Sequence, residues 1–458
     1  MASIWWIRRD LRLQDNLTLQ KALENPPILP VFILDPLLLK NAPKRRLDFL
    51  FQNLQALDKD LQTRGSKLVV RTGKPAEILE SLLKETSADQ ILAEEDFTPY
   101  ARMRSVLAGS FLPLKLVQGQ LGTHPLESLK SSGKPYRVFG PFKKNWLAHI
   151  QSFESNPAPA LVPTLQNIDS DGIPMGGAED LFPAGEEAAY NRLEIFLRKK
   201  VEFYHLTRDR MDLDGSSNLS PYFRFGILGF RSAIFRSLEI LKDENSRKNL
   251  RGIDAWLNDL VWREYHIHIM YHFPESRTQN FRSVYDGLPW NNDQSDFQAW
   301  KDGRTGYPVV DAAMRQLNSI GWIPRQSRNI AASFLVKGLL IDWRWGEKWF
   351  RDRLLDGDLA VNVGNWQRAA GTGPDAAPFD RILNPTRQSK KYDPTGNYIR
   401  KWVPELTDLD ADVIHDPWKN RVKIAGYPER IIEHKFGRER AQSAYRAAKS
   451  GESRGIGE

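Results

Sequence analysis

SIWWIRRDLRLQDNLTLQKALENPPILPVFIL, residues 3–34, decides the fold. It opens with SIWWI at 3–7 and closes with ILPVFIL at 28–34, two short apolar runs rich in β-branched and aromatic residues. Runs of this kind, bounded by charged or turn residues, read as strands buried on both faces, as in a parallel sheet. Further along come KLVVR at 67–71, QILA at 90–93 and LKLVQ at 114–118. Helical patterns fall between them, as in RRLDFLFQNLQALDKDLQ at 45–62, where apolar residues recur near every third or fourth place. This alternation predicts an α/β fold, a doubly wound parallel sheet of Rossmann-like build, over residues 1–125. No G-x-G-x-x-G follows the first strand; IRRDLRLQDN at 7–16 stands there instead, so a standard dinucleotide site is not expected in this domain.

Residues 126–185 are rich in Pro, Gly, Ser and Asn, as in SFESNPAPALVPTLQNIDSDGIPMGGAED, and read as a long interdomain connector laid across the surface. From 186 the pattern is helical almost throughout, which predicts an all-α domain over 186–450. FGRERAQSAYRAAKSGESRGIGE at the end reads as a final helix and a frayed tail.

The whole is 458 residues with a formal net charge of +8. A chain of that length holds about two to four domains. The absence of Cys excludes disulfides, thiolate catalysis, Cys-ligated zinc and Cys-held iron–sulfur clusters. Charge arrives at Arg8, too soon for a signal peptide, and no long apolar run follows, so the expectation is a cytoplasmic protein with no membrane partner. Between Arg381 and Lys401 six basic residues face one acidic residue, interleaved with Tyr392 and Tyr398, a pattern suited to contacting phosphates.

Of 14 Trp, only Trp5, Trp6 and Trp146 precede residue 250. A core seldom needs so many indoles, because each buried N–H wants a partner. Several segments in the second half could carry chemistry. DGSSNLSPYFRFG at 214–226 places small hydroxyl residues before a helix-like stretch, either an ordinary N-cap or an anion site suited to a pyrophosphate. WLNDLVWRE at 256–264 sets Trp256, Asp259 and Arg263 on one helical face. DGDLAVNVGNWQR at 356–368 begins with Asp356 and Asp358, which could bind a metal or accept hydrogen bonds from a ribose or ring N–H. HIHIMYH at 266–272 looks metal-like, but His266 and His268 diverge by about 200° on a helix, so no metal is expected there.

These segments, with RRDLRLQDN at 8–16, resemble the photolyase/cryptochrome flavoprotein family in consistent register through residues 204–406. Within it the chain is most similar to microbial cyclobutane pyrimidine dimer photolyases. The resemblance implies a C-terminal helical domain that binds FAD and DNA. Tyr204 and the run Ser216, Ser217, Asn218, Leu219 and Ser220 would hold the FAD phosphates. Trp256, Asp259 and Arg263 would line the cofactor, Arg328 and Asp356 would form an ion pair beside the isoalloxazine, and Gly357 and Asp358 would meet the cofactor next to them. Asn362 matches the residue that faces flavin N5; an amide there can accept or donate without adding charge. Trp366, Trp343 and Trp290 align with the family's chain of electron carriers, while Trp300, Trp345, Trp349, Trp402 and Trp418 are left to packing. A second chromophore in the N-terminal domain is implied as well, with folate, deazaflavin, another flavin and none all open.

The substrate pocket departs from the pattern. Asp259 and Trp262 match lesion-side positions, but Arg368 stands where a second lesion-binding Trp is expected. After Trp322 the family commonly reads Met-His-Asn-Arg, then a Met three residues on; here Ile323, Pro324, Arg325, Gln326 and Asn329 occupy those places. Arg325 and Arg368 could replace lost contacts by grasping phosphate or stacking on a base. The (6-4) photolyases use His at the positions of Arg325 and Asn329, and this chain has neither. What the resemblance implies is a carbon–carbon lyase, a deoxyribodipyrimidine photolyase acting as a monomer on UV-damaged DNA. The alternative is a cryptochrome-type blue-light photoreceptor with little or no repair.

Overall fold

The protein is described by a computed structural model over residues 2–150, 155–177, 181–242, 250–375, 381–420 and 424–451. The quoted connector residues 152–154 and 178–180, and the tail after Gly451, lie outside the described residues.

Five parallel strands, β1 (Ser3–Ile7), β2 (Ile28–Leu34), β3 (Val69–Thr72), β4 (Gln90–Glu94) and β5 (Leu114–Val117), form one sheet in the order β3-β2-β1-β4-β5. β1 lies at its centre, pairing Ser3 with Ile28 on one side and with Gln90 on the other. Both strands of the opening stretch are buried along their whole length. The expected helix at 45–62 spans Lys44–Gln62 and buries Phe49, Leu54, Leu57 and Leu61. At the switch in strand order, between β1 and β4, charged side chains meet: Arg12 pairs with Glu94 at 2.9 Å, and Arg8 donates to Ser105 Oγ at 2.8 Å. Burial pushes Glu94 up to about 7.

The connector is tied down. The Ile28 and Val162 N–H groups donate to the carbonyls of Pro163 and Arg64, each at 2.9 Å, and Asp171 N–H donates to Val70 at 2.8 Å. It also contains a helix, Phe139–His149, which the sequence reading did not foresee. Gly and Pro near its start mask the pattern, and it is held by two residues four apart, Phe142 and Trp146, both fully buried.

Compact packing divides the chain into two units: unit 1 is Met1–Glu202 with Ser217–Pro274, and unit 2 is Phe203–Ser216 with Glu275–Glu458. The helical stretch read as one domain over 186–450 is therefore shared between them. The reason lies in the 23-residue helix Leu250–His272. Its Glu264 accepts hydrogen bonds from the N–H groups of Gly122 and Thr123 and from Trp146 Nε1, and its Tyr265 hydroxyl donates to the Arg137 carbonyl at 2.8 Å. Gly252 lets it pass so close to residue 201 that an added Cβ would lie 1.7 Å from the Val201 carbonyl oxygen. Unit 2 is helical among its described residues, with helices including Pro308–Ile320, Arg325–Ser333, Trp343–Arg351, Leu359–Ala370, Pro385–Tyr392 and His434–Ser450, and a π-helical turn at Phe334–Gly338.

Candidate functional site

In unit 2 the helix Leu359–Ala370 starts at Asp358, whose carboxylate accepts from Val361 N–H at 3.4 Å and fixes the first turn. Two residues earlier, Asp356 Oδ2 accepts from Arg328 Nη2 at 2.9 Å. Arg328 Nε donates to the Ile323 carbonyl at 3.0 Å, so the guanidinium is fixed at two points. Asp356 Oδ1 is buried and has no hydrogen-bond partner. Gly357, between the two acids, donates its N–H to Leu354 at 3.4 Å.

One turn along, Asn362 Nδ2 donates to the Glu347 carbonyl at 3.0 Å and to Glu347 Oε1 at 2.9 Å. An amide nitrogen has two hydrogens. Both are taken, and the carbonyl oxygen Oδ1 is what Asn362 can offer elsewhere. Glu347 is itself held by Arg351 at 3.1 Å, and burial raises its carboxyl above the usual range.

Trp366 lies on the same helix, buried, with its indole edge-on to Phe350 at 5.0 Å and to Trp300 at 6.1 Å. Only Gly346 permits this seat, since a Cβ there would stand 2.1 Å from the indole. Trp343 is fully buried and donates Nε1 to Asn280 Oδ1 at 2.9 Å. Trp290 is half-buried and meets Tyr445 edge-on at 6.5 Å. The three expected carriers thus run from buried to partly exposed.

The hydroxyl run is cut by the packing. Tyr204, buried, and Ser216 belong to unit 2, while Ser217, Asn218, Leu219 and Ser220 belong to unit 1. The helix that follows is short, Ser220–Phe225, with Leu219 as its N-cap and no side-chain cap bond. Residues 216–219 of the run are irregular chain, with Asn218 at φ +53°. An N-terminal serine cap, one of the two readings of this segment, is therefore corrected: Ser216 and Ser217 precede the helix, Ser220 is its first residue, and Leu219 stands at the cap position. Gly215 before them is backed by Thr207, which an added Cβ would meet at 2.5 Å.

In unit 1 the helix Leu250–His272 carries Trp256, Asp259, Trp262 and Arg263. Trp256 is buried, gives Nε1 to Ser237 Oγ at 3.0 Å and packs edge-on to Phe196 at 4.9 Å. Asp259 and Arg263 are half-buried, and the Arg263 guanidinium lies 4.9 Å from the Phe230 ring. Trp262 is half-buried too and stacks on Phe139, ring centroids 3.7 Å apart and planes 5° from parallel.

The departures from the family pattern gather in unit 2. Arg325, exposed at the first position of its helix, forms an ion pair with Asp209. Gln326 is buried and donates to Gln388 Oε1 at 3.2 Å, and Asn329 approaches Gln326 Oε1 at 3.5 Å. Arg368 is exposed in the last turn of its helix. Three residues went unread in the sequence: Glu347, Asp209 and Phe139. Glu347 and Arg351 are legible as an i, i+4 ion pair, but nothing local announces the bond to Asn362. Asp209 and Phe139 meet partners far along the chain and leave no local signal.

The FAD implied by the resemblance can be tested against these atoms. A buried carboxylate oxygen is rarely left without a donor. Asp356 Oδ1 and the Asn362 carbonyl are two acceptors of the kind a flavin ring, which carries N–H groups, would satisfy. The residues fit. No group of three or more His, Cys, Asp or Glu is placed to hold a metal, and no helix is long and apolar enough to cross a membrane, among the described residues.

Comparison with known proteins agrees. The family profile for DNA photolyase matches residues 3–163, and that for the FAD binding domain of DNA photolyase matches residues 256–447. The deoxyribodipyrimidine photo-lyase of Synechococcus sp. is 35% identical over 98% of this chain and 97% of its own length. A crystal structure of a class III photolyase from Agrobacterium tumefaciens superposes with a TM-score of 0.89 at 34% identity, covering 98% of both chains. A Synechocystis sp. cryptochrome superposes at 0.88 with 29% identity, over 97% of this chain and 99% of that one. With its sheet, its helical unit and both family profiles in place, the chain belongs to the FAD-binding DNA photolyase family, whose fold is shared with cryptochromes.

Proposed function

We propose that the chain is a deoxyribodipyrimidine photolyase, a light-driven lyase that splits cyclobutane pyrimidine dimers in UV-damaged DNA, working as a cytoplasmic monomer. The observation that carries this reading is the orientation of Asn362. Glu347 takes both of its N–H groups, so it offers an uncharged acceptor, suited to the N5–H of a reduced cofactor. When bound, reduced FAD supplies the one-electron chemistry that opens the cyclobutane ring.

The chain's own residues supply position, tuning and exclusion of water. Tyr204, Ser216, Ser217, Asn218, Leu219 and Ser220 would bind the phosphates of FAD, and Trp256, Asp259 and Arg263 would flank it. Arg328 holds Asp356 so that Oδ1 is presented as an acceptor, and Gly357 and Asp358 lie beside it on the chain. Trp290, partly exposed, would take an electron from a dissolved thiol; Trp343 and Trp366 would pass it inward. On the DNA side, Asp259 and Trp262 would meet the dimer, with Asn329 and Arg368 as polar replacements for the family's Met and Trp, and with Arg325 and Gln326 in place of its Asn and Arg.

One observation favours a second reading, a blue-light receptor. Asn329, which meets Gln326 Oε1 at 3.5 Å, and the exposed Arg368 stand where dimer photolyases present Met and Trp. Illumination of the flavin-loaded protein with a UV-irradiated oligonucleotide separates the two. Restored thymines are expected from the photolyase; bound flavin with no restored thymine would overturn repair and leave the receptor.

A further inference from the structure

Arg325 is the substituted residue whose surroundings in unit 2 say most about how it works. It is exposed, it opens the helix Arg325–Ser333, and its guanidinium already has an anion against it, the carboxylate of Asp209. Asp209 is not a loosely hung side chain. Beside it, Arg210 grips Asp212 through two hydrogen bonds, at 2.8 and 2.5 Å, and Met211 N–H donates to the Tyr392 carbonyl at 2.9 Å. This segment is therefore pinned to the end of the helix Pro385–Tyr392, which carries Arg387, Lys390 and Lys391. An acidic side chain is thus fixed at the margin of a strongly basic stretch. The neighbouring Gln326 is bonded to Gln388 of that same helix at 3.2 Å, so the helix that Arg325 opens is tied to the basic helix.

We propose that Asp209 is an intramolecular stand-in for a DNA phosphate at Arg325, a built-in competitor that lowers affinity for undamaged strands. This rests on the reading of the protein as a DNA repair enzyme and extends it to how the protein avoids ordinary DNA. A carboxylate and a phosphate diester offer a guanidinium the same paired oxygens. The pair is partly exposed on both sides, so it opens readily, and a phosphate reaching Arg325 competes with Asp209 for its guanidinium. Arg325 then adds little to binding of undamaged DNA, where each neutralised phosphate otherwise strengthens affinity and steepens its salt dependence.

The test is titration of the flavin-loaded protein with an undamaged single-stranded oligonucleotide at several salt concentrations. Asp209→Asn is expected to tighten binding by about two- to fivefold and to steepen the plot of log affinity against log salt by about 0.7. Arg325→Gln should bind no more tightly than the parent. The double variant should match Arg325→Gln, since the competitor has nothing left to compete for. Retained flavin absorption shows that each variant is folded. Unchanged affinity and slope in Asp209→Asn would overturn the proposal, and so would a double variant that keeps the gain. Failure of repair shows separately: if the parent restores no thymine yet Asp209→Asn still gains affinity, repair falls and the competitor stands.

Discussion

Glu264 in unit 1 has donors on both carboxylate oxygens, whereas Asp356 in unit 2 has Arg328 on Oδ2 and nothing on Oδ1. Both are buried acids in a family enzyme, and the difference separates two uses of burial. Glu264 ties together Gly122, Thr123 and Trp146, which lie far from it in sequence, and its bonding is complete. Asp356 is fixed on one side and left open on the other. A buried acceptor that is finished serves the fold; one that is held in place but unfinished is ready for a ligand.

The largest expected effect comes from removing the finished acid. Glu264→Ala leaves two backbone N–H groups and an indole N–H buried without acceptors and is expected to destabilise unit 1 by about 3–5 kcal/mol, read by urea unfolding. A loss below about 1 kcal/mol would show that the three donors are not depending on it.

Titration gives the next effect. Burial pushes the Glu264 carboxyl up to about 7 despite its donors, and Glu94 and Glu186 in the same unit are also pushed up to about 7. Each binds its proton more tightly folded than unfolded. That contribution is fully present below the ordinary carboxylate range and is lost as pH rises through about 7. Between pH 6 and pH 8 unit 1 should therefore lose stability, by about 1.4 kcal/mol for each such carboxyl, and its urea midpoint should fall. Glu264→Gln should flatten the slope; an identical slope in that variant would remove Glu264 from the account.

The smallest of the three sharpens the other half of the comparison. Asp356→Asn keeps the shape of the side chain but replaces one oxygen by an N–H₂ group. Flavin dissociation should rise about tenfold, near 1.4 kcal/mol, with little change in unfolding of the flavin-free protein. Equal loss of stability and of flavin binding would mean that Asp356 is as structural as Glu264.

Much of unit 1 was legible because its strands are short apolar runs with sharp ends. Ile28–Leu34 is found with the expected bounds, and Ser3–Ile7 likewise. KLVVR shifts to Val69–Thr72, where pairing with β2 rather than composition sets the ends. The helix Phe139–His149 was missed because Gly and Pro stand near its start and only two apolar residues hold it. In unit 2 the motif residues could be placed through family resemblance, but what each side chain does could not. Asn362 was open to donating or accepting, and the choice is made by Glu347, fifteen residues away on another helix. Arg325 reads as open to grasping phosphate or stacking on a base; Asp209, far before it in sequence, is paired with it and leaves no local signal.

The interleaving of the units has a consequence for synthesis. Unit 1 is closed by Ser217–Pro274, after residues 203–216 have already passed into unit 2. On the ribosome the sheet and connector emerge first, and Gly122, Thr123 and Trp146 wait for an acceptor until Glu264 has been made. A cut at the connector, the natural place to divide the chain by composition, would part that carboxylate from its three donors. The α/β half is thus not a fragment that translation completes and leaves behind; it is finished only after more than half of the chain has been made.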